Sequence, residues 1–263
     1  MDRFHSLSVE WVSQTPSTQD LAAQRLRCGR PTPFWIAARR QTAGRGQHGR
    51  SWWCEPGSLF CTGAIRLQDY AIPYTPNRSG IFSLQMGLAV LQTVRPWLLA
   101  GGAISDSELG LHWPNDLFYG SRKLVGILIE SPSPGVWLVG IGINVSGTYL
   151  DAPQEVRERV VSLSDLGVVD VSLPKLLESL AEQVERFLWR AAEAPQQTLE
   201  EIRARCLQMG RRVRVTQPCG VGRDAEVLCV GTCCGIAEDG RIIVETDAGS
   251  RQIFASATVR IVE

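Results

Sequence analysis

The sequence predicts an α+β protein in two parts: a mixed or antiparallel sheet with flanking helices, then a small β domain. Three observations predict it. Hydrophobic residues are 44% of the 263 and charged residues 21%, which suits a packed core and excludes a disordered chain. Up to about residue 208, segments of helical spacing alternate with short apolar runs. From about 210 only short β-prone runs remain, separated by turn signals. The expected division is therefore 1–208 and 209–263.

Residues 17–29 (STQDLAAQRLRCG) read as a helix, with Ser17 or Thr18 able to cap the first N–H groups and Gly29 able to end it. Phe34–Arg39 is an apolar run before a Gly-rich stretch, hence a strand. Residues 40–57 hold Gly44, Gly46, Gly49 and Gly57 with Pro56, hence a loop. Leu59–Leu67 reads as a strand. Ile81, Leu84, Leu88 and Leu91 recur at helical spacing, so 79–95 is an amphipathic helix that Pro96 is expected to end or bend. Leu111–Trp113 precedes a turn through Pro114, Asn115 and Asp116. Leu124–Glu130 and Val136–Val145 are apolar runs separated by SPSPG, expected to pair antiparallel. Residues 172–208 read as two helices broken near Pro195. Arg212–Thr216, Ala225–Val230, Arg241–Glu245, Gln252–Ala255 and Thr258–Val262 are five short strands, which suggests a small barrel.

The charge balance excludes some functions. Lys and Arg total 27 and Asp and Glu total 27, so the formal net charge is zero. A zero balance gives no whole-protein attraction to nucleic acid or to an anionic membrane. No run of about 18 apolar residues is present, so no membrane span is expected. The start MDRFHSLSVEWVSQTPS has no apolar signal core, so the protein is expected in the cytoplasm with its eight Cys reduced. His5, His48 and His112 are scattered and form no H-E-x-x-H, so no dedicated metal site is expected. The basic residues are very unequal. There are 25 Arg and only two Lys, Lys123 and Lys175.

Gly44 to Gly49 fits G-x-G-x-x-G after a strand, but the dinucleotide reading needs a helix opening at the third Gly. Arg50-Ser-Trp-Trp-Cys-Glu-Pro-Gly follows instead, a poor helix start. No Gly-Lys-Ser/Thr follows either, so this is not a Walker loop. Arg45 and Arg50 can grip phosphate or carboxylate as forked donors, and Trp52 or Trp53 can cover an apolar ring. Glycines let backbone N–H groups approach an anion. The loop suits an anionic, partly apolar ligand rather than a spacer role.

Four further segments accompany it: Ser17-Thr18-Gln19, His112-Trp113-Pro114-Asn115-Asp116, Arg122 to Glu130 (RKLVGILIE) and Gly140 to Val145 (GIGINV). With Gly44-Arg45-Gly46-Gln47-His48-Gly49-Arg50, this ordered set resembles the biotin protein ligases, or biotin–[acetyl-CoA-carboxylase] ligases. The resemblance is dense over residues 15–145, and the end of the chain is similar to that family's SH3-like barrel. It implies a class II synthetase-like catalytic domain and two half-reactions. Biotin and ATP, with Mg²⁺, give biotinoyl-5′-AMP and pyrophosphate. A lysine of the biotin carboxyl carrier protein of acetyl-CoA carboxylase then displaces AMP.

The residues suit that chemistry. Two anions, a carboxylate and an α-phosphate, must meet, so catalysis is positioning plus charge stabilisation. The resemblance makes Lys123 and Arg45 the catalytic cations. It places Ser17, Thr18, Gln19, Gln41, Gly44, Arg45, Gly46, Gln47, Trp52, Lys123 and Gly126 on biotin, with Trp52 as lid. It places Arg45, Arg50, Asn115, Asp116, Lys123 and Asn144 on ATP or the adenylate. Asn115 and Asp116 either hold the Pro114 turn or contact Mg²⁺ and the adenylate. Lys175, beside Pro174, reads as surface.

Three positions depart from the family's usual pattern. Gln47 replaces a frequent Arg, which implies weaker retention of the adenylate. His112 stands where Lys is common, and Gln19 where Asn is common. Only 16 residues precede Ser17, so the helix-turn-helix of the family's repressor members is not expected. The expected partner is thus the carrier protein, with no nucleic acid, and the chain is expected as a monomer or homodimer. Two alternatives are a lipoate or octanoate ligase or transferase, and a non-catalytic biotin-binding protein.

Overall fold

A computed structural model describes residues 7–73, 79–102, 107–217 and 225–262. His5 and Cys219 lie outside them. The larger part is a seven-stranded sheet of β1 (Val9–Val12), β2 (Phe34–Ala38), β3 (Leu59–Arg66), β4 (Leu109–His112), β5 (Asp116–Tyr119), β6 (Arg122–Ser133) and β7 (Val136–Ile143). The spatial order is β1-β2-β3-β7-β6-β5-β4. Only β1 and β2 pair parallel; every other pair is antiparallel, so the sheet is mixed. Sequence patterning identifies the long central strands but not β1 and β5, four residues each and too short for a clear period.

Alternation along β2 divides the core. Phe34 and Ile36 pack with Ala64, Leu138 and Ala22 under α1 (Thr18–Arg27). Trp35 and Ala37 point to the other face, into the main core with α2 (Ser79–Ala100) and α4 (Leu173–Glu193). Pro96 does not end α2, which runs on to Ala100. Val94 and Leu98 on either side are fully buried, and their packing offsets the hydrogen bond that the exposed proline forfeits. The Pro195 break is as expected: α5 (Pro195–Arg205) begins on that residue. A short α3 (Gln154–Arg157) precedes α4.

The smaller part is a five-stranded antiparallel sheet of β8 (Arg212–Gln217), β9 (Glu226–Ile236), β10 (Ile242–Thr246), β11 (Arg251–Phe254) and β12 (Thr258–Ile261). Its order is β11-β10-β9-β8-β12. It is seated on the larger part by backbone as well as side chains. Ile81 N–H donates to the Asp239 carbonyl at 3.2 Å. Arg203 donates twice to the Ile236 carbonyl, at 2.9 and 2.7 Å.

Candidate active site

A cavity of about 480 Å³ opens on the α1 face of the large sheet. Its floor is made of β3, β7 and β6. Thr62 is paired with Gly140, and Gly126 with Gly142, so the floor is nearly free of side chains where those strands meet. The Trp52 indole lies on this glycine bed. A Cβ on Gly126 would come within 2.4 Å of the ring, and one on Gly142 within 2.9 Å. Trp52 Nε1 is buried and has no acceptor among the described residues.

The start of α1 makes one wall. Ser17, Thr18 and Gln19 are all under 5% exposed. Ser17 sits at the N-cap yet makes no side-chain cap bond, so the expected hydroxyl cap is absent. Gln41 supplies it from the loop instead: its Oε1 accepts Thr18 N–H at 2.7 Å and the Thr18 hydroxyl at 3.1 Å. This is capping by a residue 23 positions away, which local sequence rules do not reveal. The Thr62 hydroxyl reaches Thr18 Oγ1 at 2.9 Å and Gln19 Oε1 at 3.2 Å. Gln19 Nε2 lies 3.4 Å from the carbonyls of both Leu128 and Leu138, tying α1 to the sheet.

The loop 44–53 forms the roof as a small hairpin. Arg45 pairs with Ser51 in an isolated bridge, and Gly46 N–H donates to the Arg50 carbonyl at 2.7 Å. The Arg45 guanidinium is bidentate on Glu130 at 2.7 and 2.8 Å and meets Asp20 at 2.8 Å. The hydrogen bonds it donates to Glu130, then the charges of both carboxylates, raise its pKa against the opposing effect of burial. Among the described residues the Arg50 side chain bonds only the Gln47 carbonyl of its own loop, at 3.4 Å. Gln47 lines the cavity as a neutral amide. Gly44 stands behind the wall, where a Cβ would meet Cys54 Sγ at 2.5 Å. His48 reaches Ser256 of the small sheet at 3.0 Å.

The opposite wall carries Lys123. Its Nζ lies 2.7 Å from Asp116 Oδ1 and 5.0 Å from the Trp52 ring centre. A register shift between Leu117 and Phe118 inserts one extra residue in β6. Leu124 and Val125 are both fully buried, and Lys123 and Gly126 face the cavity together. In a regular strand, positions three apart point to opposite faces. Asn144, 2% exposed, donates to the Lys123 carbonyl at 3.0 Å. Asn115 donates to the Ile127 carbonyl at 2.6 Å, tying the turn to β6. His112 stacks on Phe118 with ring centres 4.0 Å apart. Burial lowers its pKa.

The cavity thus collects the predicted residues except Gly44. Residues 149–160 are the part not anticipated. Tyr149, Val156, Arg159 and Val160 also line it, brought in by a parallel bridge between Lys123 and Val160. No motif in that segment signals it; only the β6 pairing does. Among the described residues, no group of three or more His, Cys, Asp and Glu side chains comes together.

A glycine floor between an amide-and-hydroxyl wall and a cationic wall defines a class: an α+β binding protein for an anionic, partly apolar ligand. Comparison with known proteins makes it specific. The model for the biotin/lipoate A/B protein ligase family matches residues 11–147, and that for the biotin protein ligase C terminal domain matches 209–261. The biotin–[acetyl-CoA-carboxylase] ligase of Mycobacterium tuberculosis is 35% identical over 251 residues, 95% of this chain and 86% of that one. The ligase of the same name from Paracoccus denitrificans is 29% identical, covering 94% of this chain and 98% of its own. A biotin protein ligase from Aquifex aeolicus, solved with biotin and ATP, shares the fold with a TM-score of 0.76 at 24% identity, over 97% of this chain and 99% of that one. The chain belongs to the biotin/lipoate A/B protein ligase family.

Proposed function

We propose that the cavity joins biotin to ATP and that the chain then passes biotin to a lysine of a biotin carboxyl carrier protein. The enzyme is a biotin–[biotin carboxyl-carrier protein] ligase, and biotin and ATP are its substrates. One observation carries the assignment of roles: Lys123 shares a glycine floor with the Thr18–Gln41 pair across the cavity. Biotin's ureido ring needs donors and acceptors, and each unmet buried group costs roughly 1–3 kcal/mol. Ser17, Thr18, Gln41 and Thr62 are such groups. Its apolar bicycle and tail suit Gly126, Gly142 and the Trp52 face.

The tail then directs the biotin carboxylate toward Lys123. There the carboxylate oxygen attacks the α-phosphorus. The bond to the β-phosphate breaks, and pyrophosphate leaves with the electron pair. A compact ammonium placed between two anions reduces their repulsion and stabilises the charge that builds in transfer. Asp116 holds that ammonium in position at 2.7 Å. Arg45 and Arg50 cover the phosphate from the loop, and Asn144 orients the nucleotide beside Lys123. Mg²⁺ enters with ATP. In the second half-reaction the neutral carrier amine attacks the acyl carbon, AMP leaves, and the amine gives up a proton.

We place the boundary between the catalytic and C-terminal domains at 208/209. The partner is the carrier domain, and the reading needs neither nucleic acid nor membrane. No helix among the described residues is long and apolar enough to cross a membrane. The deciding experiment incubates the protein with biotin, MgATP and a carrier domain and weighs the carrier. A mass gain of one biotin on the carrier lysine is expected. Lipoate or octanoate supporting ATP–pyrophosphate exchange better than biotin would overturn the substrate assignment.

A further inference from the structure

The cations around the cavity are not equivalent. Arg45 is held by two carboxylates, and Lys123 by Asp116. Arg159 is exposed, lines the same cavity, and its guanidinium meets no carboxylate among the described residues. Its backbone is held by main-chain hydrogen bonds. Lys123 N–H donates to the Arg159 carbonyl at 2.6 Å, and Val161 N–H donates to the Lys123 carbonyl at 3.0 Å. The Arg159 backbone is therefore clamped directly beside the Lys123 backbone, with its side chain at the solvent side of the cavity. The neighbouring Arg157 is used differently, donating to the Leu150 carbonyl at 3.3 Å within its own segment.

We propose that Arg159 binds the β- and γ-phosphates of ATP and the pyrophosphate that leaves. The proposal rests on the ligase reading above. If Lys123 meets the α-phosphate, the two outer phosphates extend toward solvent, and a forked, uncommitted donor one strand away is the group that meets them. A guanidinium is suited to that part because it takes two phosphate oxygens at once and keeps its proton throughout. Here the carboxylate–α-phosphorus bond forms and the α–β bridge breaks, while Arg159 neutralises the departing charge without exchanging a proton.

The test uses the full chain, MgATP, sodium pyrophosphate, biotin and chemically made biotinoyl-5′-AMP. Arg159→Ala leaves the main-chain clamp in place. In ATP–pyrophosphate exchange it should raise KM for MgATP and for pyrophosphate about tenfold, the loss of a charge-assisted pair. Biotin affinity without ATP, and transfer from premade biotinoyl-5′-AMP to the carrier domain, should stay within about twofold. Arg159→Lys should restore part of the loss. An unchanged KM for MgATP in Arg159→Ala would overturn the proposal. So would an equal fall in transfer from the premade adenylate, which would mean the residue only supports the fold. Absence of biotin-dependent exchange in the unaltered chain would overturn the ligase reading itself, a result distinct from either.

Discussion

Lys123 shows how little a residue's identity says without its neighbours. It is one of two lysines in the chain, and its ammonium sits 2.7 Å from one carboxylate and 5.0 Å from the Trp52 ring. Lys175 is simply exposed on α4. Lys123→Ala should lower the adenylation rate by about 100-fold or more, because charge stabilisation at the reacting atoms is lost. Biotin binding should weaken by less than about tenfold, since the ureido contacts remain. Pyrophosphate exchange and calorimetry separate the two, and turnover surviving within a few-fold would remove Lys123 from the chemistry. Glu10 makes a second case at this scale. Its carboxylate is gripped by Arg25 at 2.6 Å and by Arg30, joining β1 to α1 and the turn after it. The Arg25 hydrogen bond, followed by both arginine charges, holds its pKa below the ordinary 4.5 despite the opposing desolvation. A depressed folded-state pKa stabilises the fold above the unfolded value and loses that effect as pH falls through the folded one. The difference in Tm between the parent and Glu10→Gln should therefore be largest near neutrality and shrink below about pH 4.5. A gap that stays constant down to about pH 3 would contradict this.

Elements place the residues, and two of them do so against local rule. The bulge in β6 turns a strand that would alternate strictly into one that buries two adjacent apolar residues and presents Lys123 and Gly126 on one face. The α2 helix passes through Pro96 because Val94 and Leu98 are anchored in the core. Pro96 itself is exposed and leaves the Gln92 carbonyl without its helical donor. Pro96→Ala should thus stabilise the protein by roughly 1–3 kcal/mol in urea unfolding, less than the full helix penalty because the proline also restricts the unfolded chain. A lower midpoint would mean that α2 depends on the proline.

At the scale of the molecule, the small sheet supports the site without lining the cavity. Trp113, 1% exposed, donates its indole N–H to the Gly240 carbonyl at 2.8 Å. Fully buried Gln208 accepts the Trp113 backbone N–H at 3.0 Å and donates to its carbonyl at 3.3 Å. Trp113 leads straight into the 114–116 turn that carries Asn115 and Asp116. A Cβ on Gly240, which has φ +86°, would come within 2.3 Å of Ile81 N, so the two parts meet at backbone contact. Gln208→Ala should cost roughly 2–3 kcal/mol, because it leaves a buried N–H unmet. It should also slow adenylation by misplacing the turn, although Gln208 is not among the cavity's lining residues. A variant that loses stability while keeping full exchange activity would show that the turn is held from elsewhere.

The α+β class, the long central strands, the helix over 18–27 and the five C-terminal strands were all readable from periodicity and turn residues, which are local properties. So were the segments that line the cavity, apart from 149–160, because glycines, a paired Arg loop and an unusual lysine leave a pattern in the chain. Their arrangement was not readable. That Gln41 rather than Ser17 caps α1, that Lys123 and Gly126 share a face, and that Arg159 stands beside Lys123 all depend on pairings between distant segments. A strand's period tells which residues alternate, but a single bulge resets it. A bulge is chosen by how two strands and the core beneath them pack, a cooperative outcome of the whole sheet rather than of any window of sequence.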